Sequence, residues 1–293
     1  MNYVEISTKT ASVLSFLVGA GYTLYRYGSL QPKQTLVFFA AMLLFDMTTT
    51  AINNHVGHRQ TGRVPHYSGA MSVAIILVMG LTAAMLGVYL VSMSGIVILF
   101  MGIVCFAAGV AYSYGPLPVA RTPFGELCSG VVMGAGIPFI VVQINNPIVD
   151  IALYGSSRVM ITTDWLELLA FGVVVMPLVC CIAAIMLANN ICDVEEDARV
   201  KRYTLPFYIG VKQSLLLYRL LYIAAYLFIA AGSVLRIVPV FTLVTLLTCI
   251  PVRKNVARFT AVQDKSWTFF TVILNFLAIA VPYAVCLWLG FLV

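Results

Sequence analysis

Residues 165–190 read WLELLAFGVVVMPLVCCIAAIMLANN, and residues 191–202 continue ICDVEEDARVKR. The first piece carries one charge, Glu167, at its entry. About 20 apolar residues in α-helical form cross the roughly 30 Å hydrocarbon layer of a bilayer. A helix is what such a segment adopts, because no water inside the membrane is available to satisfy backbone N–H and C=O groups. The second piece turns abruptly polar, with four acids and three bases in quick succession. The reading is a helical membrane crossing that delivers its reactive groups at its far end.

The rest of the chain repeats that pattern. Of 293 residues, 61% are hydrophobic and 10% charged, with a mean hydropathy of +0.99. Soluble domains carry about 25% charged residues, so an ordinary water-soluble enzyme is excluded, as are a disordered chain, a disulfide-rich module and a coiled coil. Apolar runs at 10–27, 34–54, 68–92, 94–114, 125–145, 165–190, 211–232, 235–252 and 268–293 give nine expected crossings. The fold class is therefore all-α: one polytopic membrane domain over residues 1–293, with the lipid bilayer as its main partner. The first run follows Glu5 and Lys9 without a small-residue cleavage pattern and reads as a retained span rather than a signal peptide. Cys105, Cys128, Cys180, Cys181, Cys192, Cys249 and Cys286 form no C-x-x-C pair, so neither zinc nor a disulfide framework is indicated.

The net charge of +6 is spread among apolar runs and builds no nucleic-acid surface. It reads as a topology signal. Connections after crossings 2, 4, 6 and 8 hold Arg59, Arg63, Arg121, Arg199, Lys201, Arg202, Lys212, Arg253, Lys254, Arg258 and Lys265, against Arg26, Lys33, Arg158 and Arg236 on the other side. The positive-inside bias places the even connections and the N-terminus in the cytoplasm of a cell-membrane protein, and the C-terminus outside.

Two crossings end alike. Asn53-Asn54 closes the second and Asn189-Asn190 the sixth, with Arg63 and Arg199 in register behind them, as an internal duplication would leave them. In the second copy Asn189, Asp193 and Asp197 are spaced i, i+4, i+8, one face of a continuing helix. Two carboxylates a turn apart repel unless a cation separates them. Oxygen ligands of this kind suit Mg²⁺, which typically takes one or two carboxylates and completes its shell with water and substrate phosphate. A solvated helix end with mixed charges would look similar; the paired asparagines, poor helix formers that are costly to bury unpaired, favour the Mg²⁺-diphosphate site.

The run Asn-Asn-x-x-Asp-x-x-x-Asp at 189–197 resembles the second aspartate motif of the UbiA superfamily of intramembrane prenyltransferases. The stretches Asp46–Asn54, Tyr112–Pro118 with Arg121 and Gly125-Glu126, and Arg202–Leu205 resemble the MenA-like branch, which prenylates 1,4-dihydroxy-2-naphthoate in menaquinone synthesis. The first aspartate motif of the family departs: Gly57 and Thr61 stand where acids are expected, and His55, His58 and His66 cluster there with Arg59 and Arg63. Asp46 lies seven residues before Asn53, about 10 Å deeper along a helix, and does not replace them.

The resemblance implies transfer of a polyprenyl group from its diphosphate to an aromatic, naphthoate-type acceptor, with Mg²⁺ as cofactor. Diphosphate leaves when metal and basic side chains neutralise its growing charge, and the allylic cation left behind needs an apolar, aromatic-lined chamber. By that resemblance Asp193 and Asp197 hold the metal, with Asn190 acting alongside them. Asn53, Asn54, Asn189, Arg59, Arg63, Arg121 and Arg202 bind substrate, and Arg59 and Arg63 supply positive charge where the first acids are missing. Glu126 opens the fifth crossing, where a helix dipole favours a carboxylate, or stands near the acceptor. Two alternatives remain: a catalytically degenerate relative that binds isoprenoid or quinone, and a secondary transporter, against which the placement of polar clusters at span ends argues.

Overall fold

The central element of the computed structural model is α7, Trp165–Cys192, whose buried residues face in every direction from Phe171 to Ile191. A helix apolar all round is one surrounded by other elements. α7 packs on α5 (Gly125–Val131), α9 (Leu205–Val234) and α11 (Phe269–Gly290). The structure describes the backbone of residues 3–61, 69–115, 118–154 and 158–292, and side chains over 9–55, 70–112, 114–115, 118–151 and 160–292.

Among the described residues the expected crossings correspond, in order, to α1 (Tyr3–Tyr27), α2 (Pro32–Thr61), α3 (Gly69–Ser94), α4 (Ile96–Ser113), the α5–α6 pair ending at Asn145, α7, α9, the segment Val240–Ala261, and α11. Seven of them are long and apolar enough to cross a membrane; α4 is shorter, and α1 completes the order. The bundle has an interior face and a lipid face. Leu77, Val78, Leu81, Met85 and Val88 of α3 and Ile103 and Val104 of α4 lie exposed, as expected where hydrocarbon rather than water is outside.

Several boundaries differ from the sequence reading. The eighth crossing begins as a 3₁₀ segment, Val240–Thr248, and continues as α10, Cys249–Ala261. Arg253, Lys254 and Arg258 therefore belong to the last turns of that crossing, not to the connection behind it. Arg219 of α9 donates from Nη2 to Thr260 Oγ1 at 3.0 Å, near this same end. Gly210 sits at φ +80 and breaks α9 close to its start, a conformation glycine adopts without a Cβ penalty.

The connection before α7 folds as an antiparallel hairpin, β1 (Val149–Tyr154) with β2 (Arg158–Thr163), Val149 opposite Thr163. An all-α reading did not anticipate it. The side chain of Gln143, buried at the end of α6 (Ile137–Asn145), starts the first strand: its Oε1 accepts from the N–H groups of Ile148 at 3.1 Å and Val149 at 3.2 Å. Asp164 then caps α7 by accepting from Leu166 N and Glu167 N.

α5 and the π turn that follows it reach α7 closely because glycines stand at the points of contact. A Cβ on Gly130 would stand 2.9 Å from the carbonyl oxygen of Val179, and one on Gly134 would stand 2.7 Å from the amide nitrogen of Val179. Small residues in this spacing let membrane helices touch backbone to backbone. A π turn, Val132–Gly136, joins α5 to α6 at that point. The contact runs antiparallel, so Glu126, one turn before Gly130, is brought to Asn190 at the end of α7.

Candidate active site

The polar end of α7 is a connected network. Asn190, almost wholly buried, donates from Nδ2 to Glu126 Oε1 at 2.8 Å. Its Oδ1 accepts from Arg202 Nη2 at 3.2 Å. Arg202 Nε donates to the carbonyl of Ala120 at 2.9 Å, and Nη1 lies 3.4 Å from Asp197 Oδ1. One guanidinium thus ties the connection before α5 to the end of α7 and to α8 (Val194–Arg199). The backbone follows it: Arg202 N donates to Asp197 O at 2.8 Å and Tyr203 N to Arg121 O at 3.1 Å. A planar fork with donors fixed in direction suits this bridging better than a flexible ammonium.

α7 and α8 are separate helices. Asp193 stands between them with φ −102 and ψ 3. The i→i−4 ladder nevertheless continues, from Asp193 N to Asn189 O at 3.2 Å and from Asp197 N to Asp193 O at 2.8 Å. The expected single continuous helix is thus corrected to a bend that keeps the four-residue spacing.

The two acids are held differently. Asp193 Oδ2 is 2.5 Å from the Nζ of Lys265, in the connection between α10 and α11. Asp197 is 6% exposed, and its Oδ2, like Oδ1 of Asn189, has no hydrogen-bond partner among the described residues. Burial pushes the Asp197 carboxyl up to about 6; Arg202 opposes the shift and the neighbouring Asp193 adds to it. Unpartnered, buried oxygen acceptors within a turn of a second carboxylate are the donor set a hard divalent cation takes. Among the described residues no group of three or more His, Cys, Asp or Glu could hold a metal ion. An ion held by Asp193, Asp197 and Asn189 would therefore draw the rest of its shell from water or phosphate, and Mg²⁺ fits.

The raised Asp197 carboxyl sets a direction. A carboxyl whose folded value lies above its unfolded one is protonated in the folded protein first, so metal-free stability declines as pH rises from about 4 to about 6 and is level above. Metal binding runs the other way, since only the carboxylate coordinates. Affinity for Mn²⁺, used as a probe, is expected to weaken about tenfold from pH 7 to pH 5, with a midpoint near 6. Titration at the two pH values checks it; a flat profile removes Asp197 from the shell.

The remaining expected site residues distribute as follows. Arg121 is half-buried and, with Phe124, Lys201, Tyr203 and Tyr208, lines a cavity of about 510 Å³ beside the network. Asn53 is exposed and Asn54 half-buried on α2, which packs on α1, α3, α4 and α6. The side chains of Arg59 and Arg63, with Gly57, Thr61, His58 and His66, lie outside the described residues. Asp46 is deeper on α2 and accepts from Ser12 Oγ at 2.9 Å, a partner within the first helices. Lys265 is the site residue that sequence reasoning missed, having entered it only as a topology charge. Glu126 was singled out, but its tie to Asn190 was not.

Comparison with known proteins agrees with this architecture. Residues 12–280 match the model of the UbiA prenyltransferase family. The chain is 29% identical over 238 residues to the 1,4-dihydroxy-2-naphthoate octaprenyltransferase of Bacillus subtilis (strain 168), covering 76% of this chain and 69% of that one. In fold it is similar to a UbiA homologue from Aeropyrum pernix K1 in its apo form, with TM-score 0.70, 17% identity and coverage of 97% and 99%. It is also similar to a UbiA homologue from Archaeoglobus fulgidus bound to DMAPP and Mg²⁺, with TM-score 0.57, 11% identity and coverage of 100% of both chains.

Proposed function

The chain belongs to the UbiA prenyltransferase family, and from that premise we propose that it transfers a polyprenyl group from polyprenyl diphosphate to 1,4-dihydroxy-2-naphthoate, in the formation of demethylmenaquinone. The acceptor rests on the name of the Bacillus subtilis relative. The observation that carries the site is the pair of acids at the junction of α7 and α8: Asp197, buried with an unpartnered oxygen, and Asp193 one turn before it.

Asp193, Asp197 and Asn189 would hold Mg²⁺, which supplies positive charge to the diphosphate as it leaves. The rest is done by this chain. Arg202 fixes Asp197 on one side, so that its free oxygen keeps a constant direction. Asn190 and Glu126 hold that arginine's far edge to the start of α5. Arg121 and Lys201, on the cavity beside the network, present cations among Phe124, Tyr203 and Tyr208, a lining suited to an anionic aromatic acid or a phosphate. The apolar interior of the bundle keeps water from the allylic carbon. In place of the first acidic motif, Arg59 and Arg63 would meet the diphosphate directly, giving a one-metal variant. The even connections would face the cytoplasm, with the site at their mouth.

Purified protein given polyprenyl diphosphate, dihydroxynaphthoate and Mg²⁺ is expected to release inorganic diphosphate and, as the acceptor gives up its carboxylate, carbon dioxide, leaving prenylated naphthoquinol. Binding of isoprenoid diphosphate without any product would instead establish the degenerate reading, for which the loss of acids at Gly57 and Thr61 speaks.

A further inference from the structure

Lys265 is presented by a tightly bonded turn. Asp264 Oδ1 accepts from the N–H groups of Ser266 and Trp267, each at 2.8 Å, and Thr268 Oγ1 accepts from Asp264 N at 2.9 Å while donating to Val262 O at 2.8 Å. Gln263 Nε2 donates to Phe259 O at 2.9 Å and anchors the turn to α10. Its base is fixed, but its end is free to move: the Lys265 side chain is 47% exposed, whereas that of Asp193 is 13% exposed.

The two acids therefore have counter-ions of opposite kinds. Asp197 has an arginine that two other contacts hold in place and that engages one oxygen, leaving the second open. Asp193 has a lysine on a flexible stem at the solvent edge, with no other hydrogen-bond partner among the described residues. A divalent ion that takes Asp197 through its open oxygen has no need to move Arg202, whereas one that takes Asp193 through Oδ2 displaces Lys265 from it. The displaced ammonium stays tethered beside the metal, where the negative charge of a diphosphate would lie.

We propose that Lys265 is the internal counter-ion of Asp193 before substrate arrives and passes to a diphosphate oxygen once metal and diphosphate are bound. The proposal rests on the metal reading of the same acids. It makes Lys265 a competitor of the metal when metal comes alone and a partner when diphosphate comes with it, so removing the charge has opposite effects in the two situations.

The test uses the full-length protein in detergent, with Mn²⁺ binding followed by electron paramagnetic resonance, alone and with inorganic pyrophosphate. Lys265→Met is expected to bind Mn²⁺ alone about tenfold more tightly than wild type, and Mn²⁺ with pyrophosphate about tenfold more weakly, within the range of ordinary coupling between sites. Lys265→Gln, a second neutral variant, is expected to do the same. Reversal of sign between the two arms supports the proposal. If neither arm changes, or both change in one direction, while Asp193→Asn loses Mn²⁺ binding, the role of Lys265 is overturned and the metal site stands. If wild type and both lysine variants bind no Mn²⁺ in either arm, the metal reading is overturned and the lysine proposal with it.

Discussion

Asp197→Asn is expected to lower prenyl transfer by about a thousandfold or more while leaving the protein as stable as wild type, or more so. The two effects separate because they come from different properties of one side chain. Metal and donor groups aimed at developing charge typically contribute 10²–10³ each when removed singly, and a bound cation contributes several kcal/mol of charge stabilisation; each tenfold loss is about 1.4 kcal/mol. Asparagine keeps the shape and one acceptor oxygen but supplies no charge for a divalent ion. Stability moves the other way, because burial already disfavours the Asp197 carboxylate and a neutral amide avoids that cost. Asp193→Asn is expected to lose turnover to a similar degree. It frees an exposed lysine rather than a buried charge, so its effect on Tm stays small. Glu195→Gln and Glu196→Gln, exposed in the same short helix, are expected to keep turnover within about threefold of wild type, since exposed carboxylates in high dielectric contribute little. Rates of product formation and thermal unfolding on the same preparations check the set. An Asp197→Asn enzyme working near the wild-type rate would remove this acid from the reaction.

How much of this was legible in the chain depends on the range of the interaction. The crossings were, because hydropathy is local: α2, α3, α7 and α11 fall close to the apolar runs that announced them. So was the acid spacing at 193 and 197, since four residues on a helix are neighbours whatever surrounds them, and the ladder through Asp193 survives the bend. The hairpin at 149–163 was not, because its first strand starts on a side chain, Gln143, that reads as one more residue of an apolar helix. Helix continuity past Cys192 also failed as an expectation, as no local signal marks Asp193 as a turn. The link from Lys265 to Asp193 joins positions 72 apart in sequence; charge counting placed both on one face but had no means to bring them into contact. The same holds for Arg202. Its role as a bridge between Ala120, Asn190 and Asp197 is a property of three connections meeting, and a basic residue after an acidic run fits a substrate-binding arginine equally well.

Gly134→Ala is expected to be among the most disruptive single-methyl changes in the protein. The added Cβ would stand 2.7 Å from Val179 N, 2.8 Å from Val179 Cα and 3.0 Å from the carbonyl carbon of Leu178. All three are backbone atoms of α7, so no rotamer change relieves the clash and one helix has to move. Overpacking of this kind costs about 1–3 kcal/mol, and Gly134→Leu extends the loss. The displacement has a chemical consequence, because the same close approach at Gly130 and Gly134 brings Glu126 to Asn190 and, through Arg202, orients Asp197. Separating α5 from α7 therefore lowers turnover as well as Tm, at a distance of several turns from the acids. Gly172→Ala is the matched control: it lies in the same α7, where a Cβ meets nothing within 4 Å, and alanine in a helix gains about 0.5–1 kcal/mol over glycine. Thermal unfolding of the two variants should then move in opposite directions. A Gly134→Ala protein as stable and active as wild type would show that the turn after α5 does not touch α7 backbone to backbone, and the geometry that joins Glu126 to Asn190 would lose its basis.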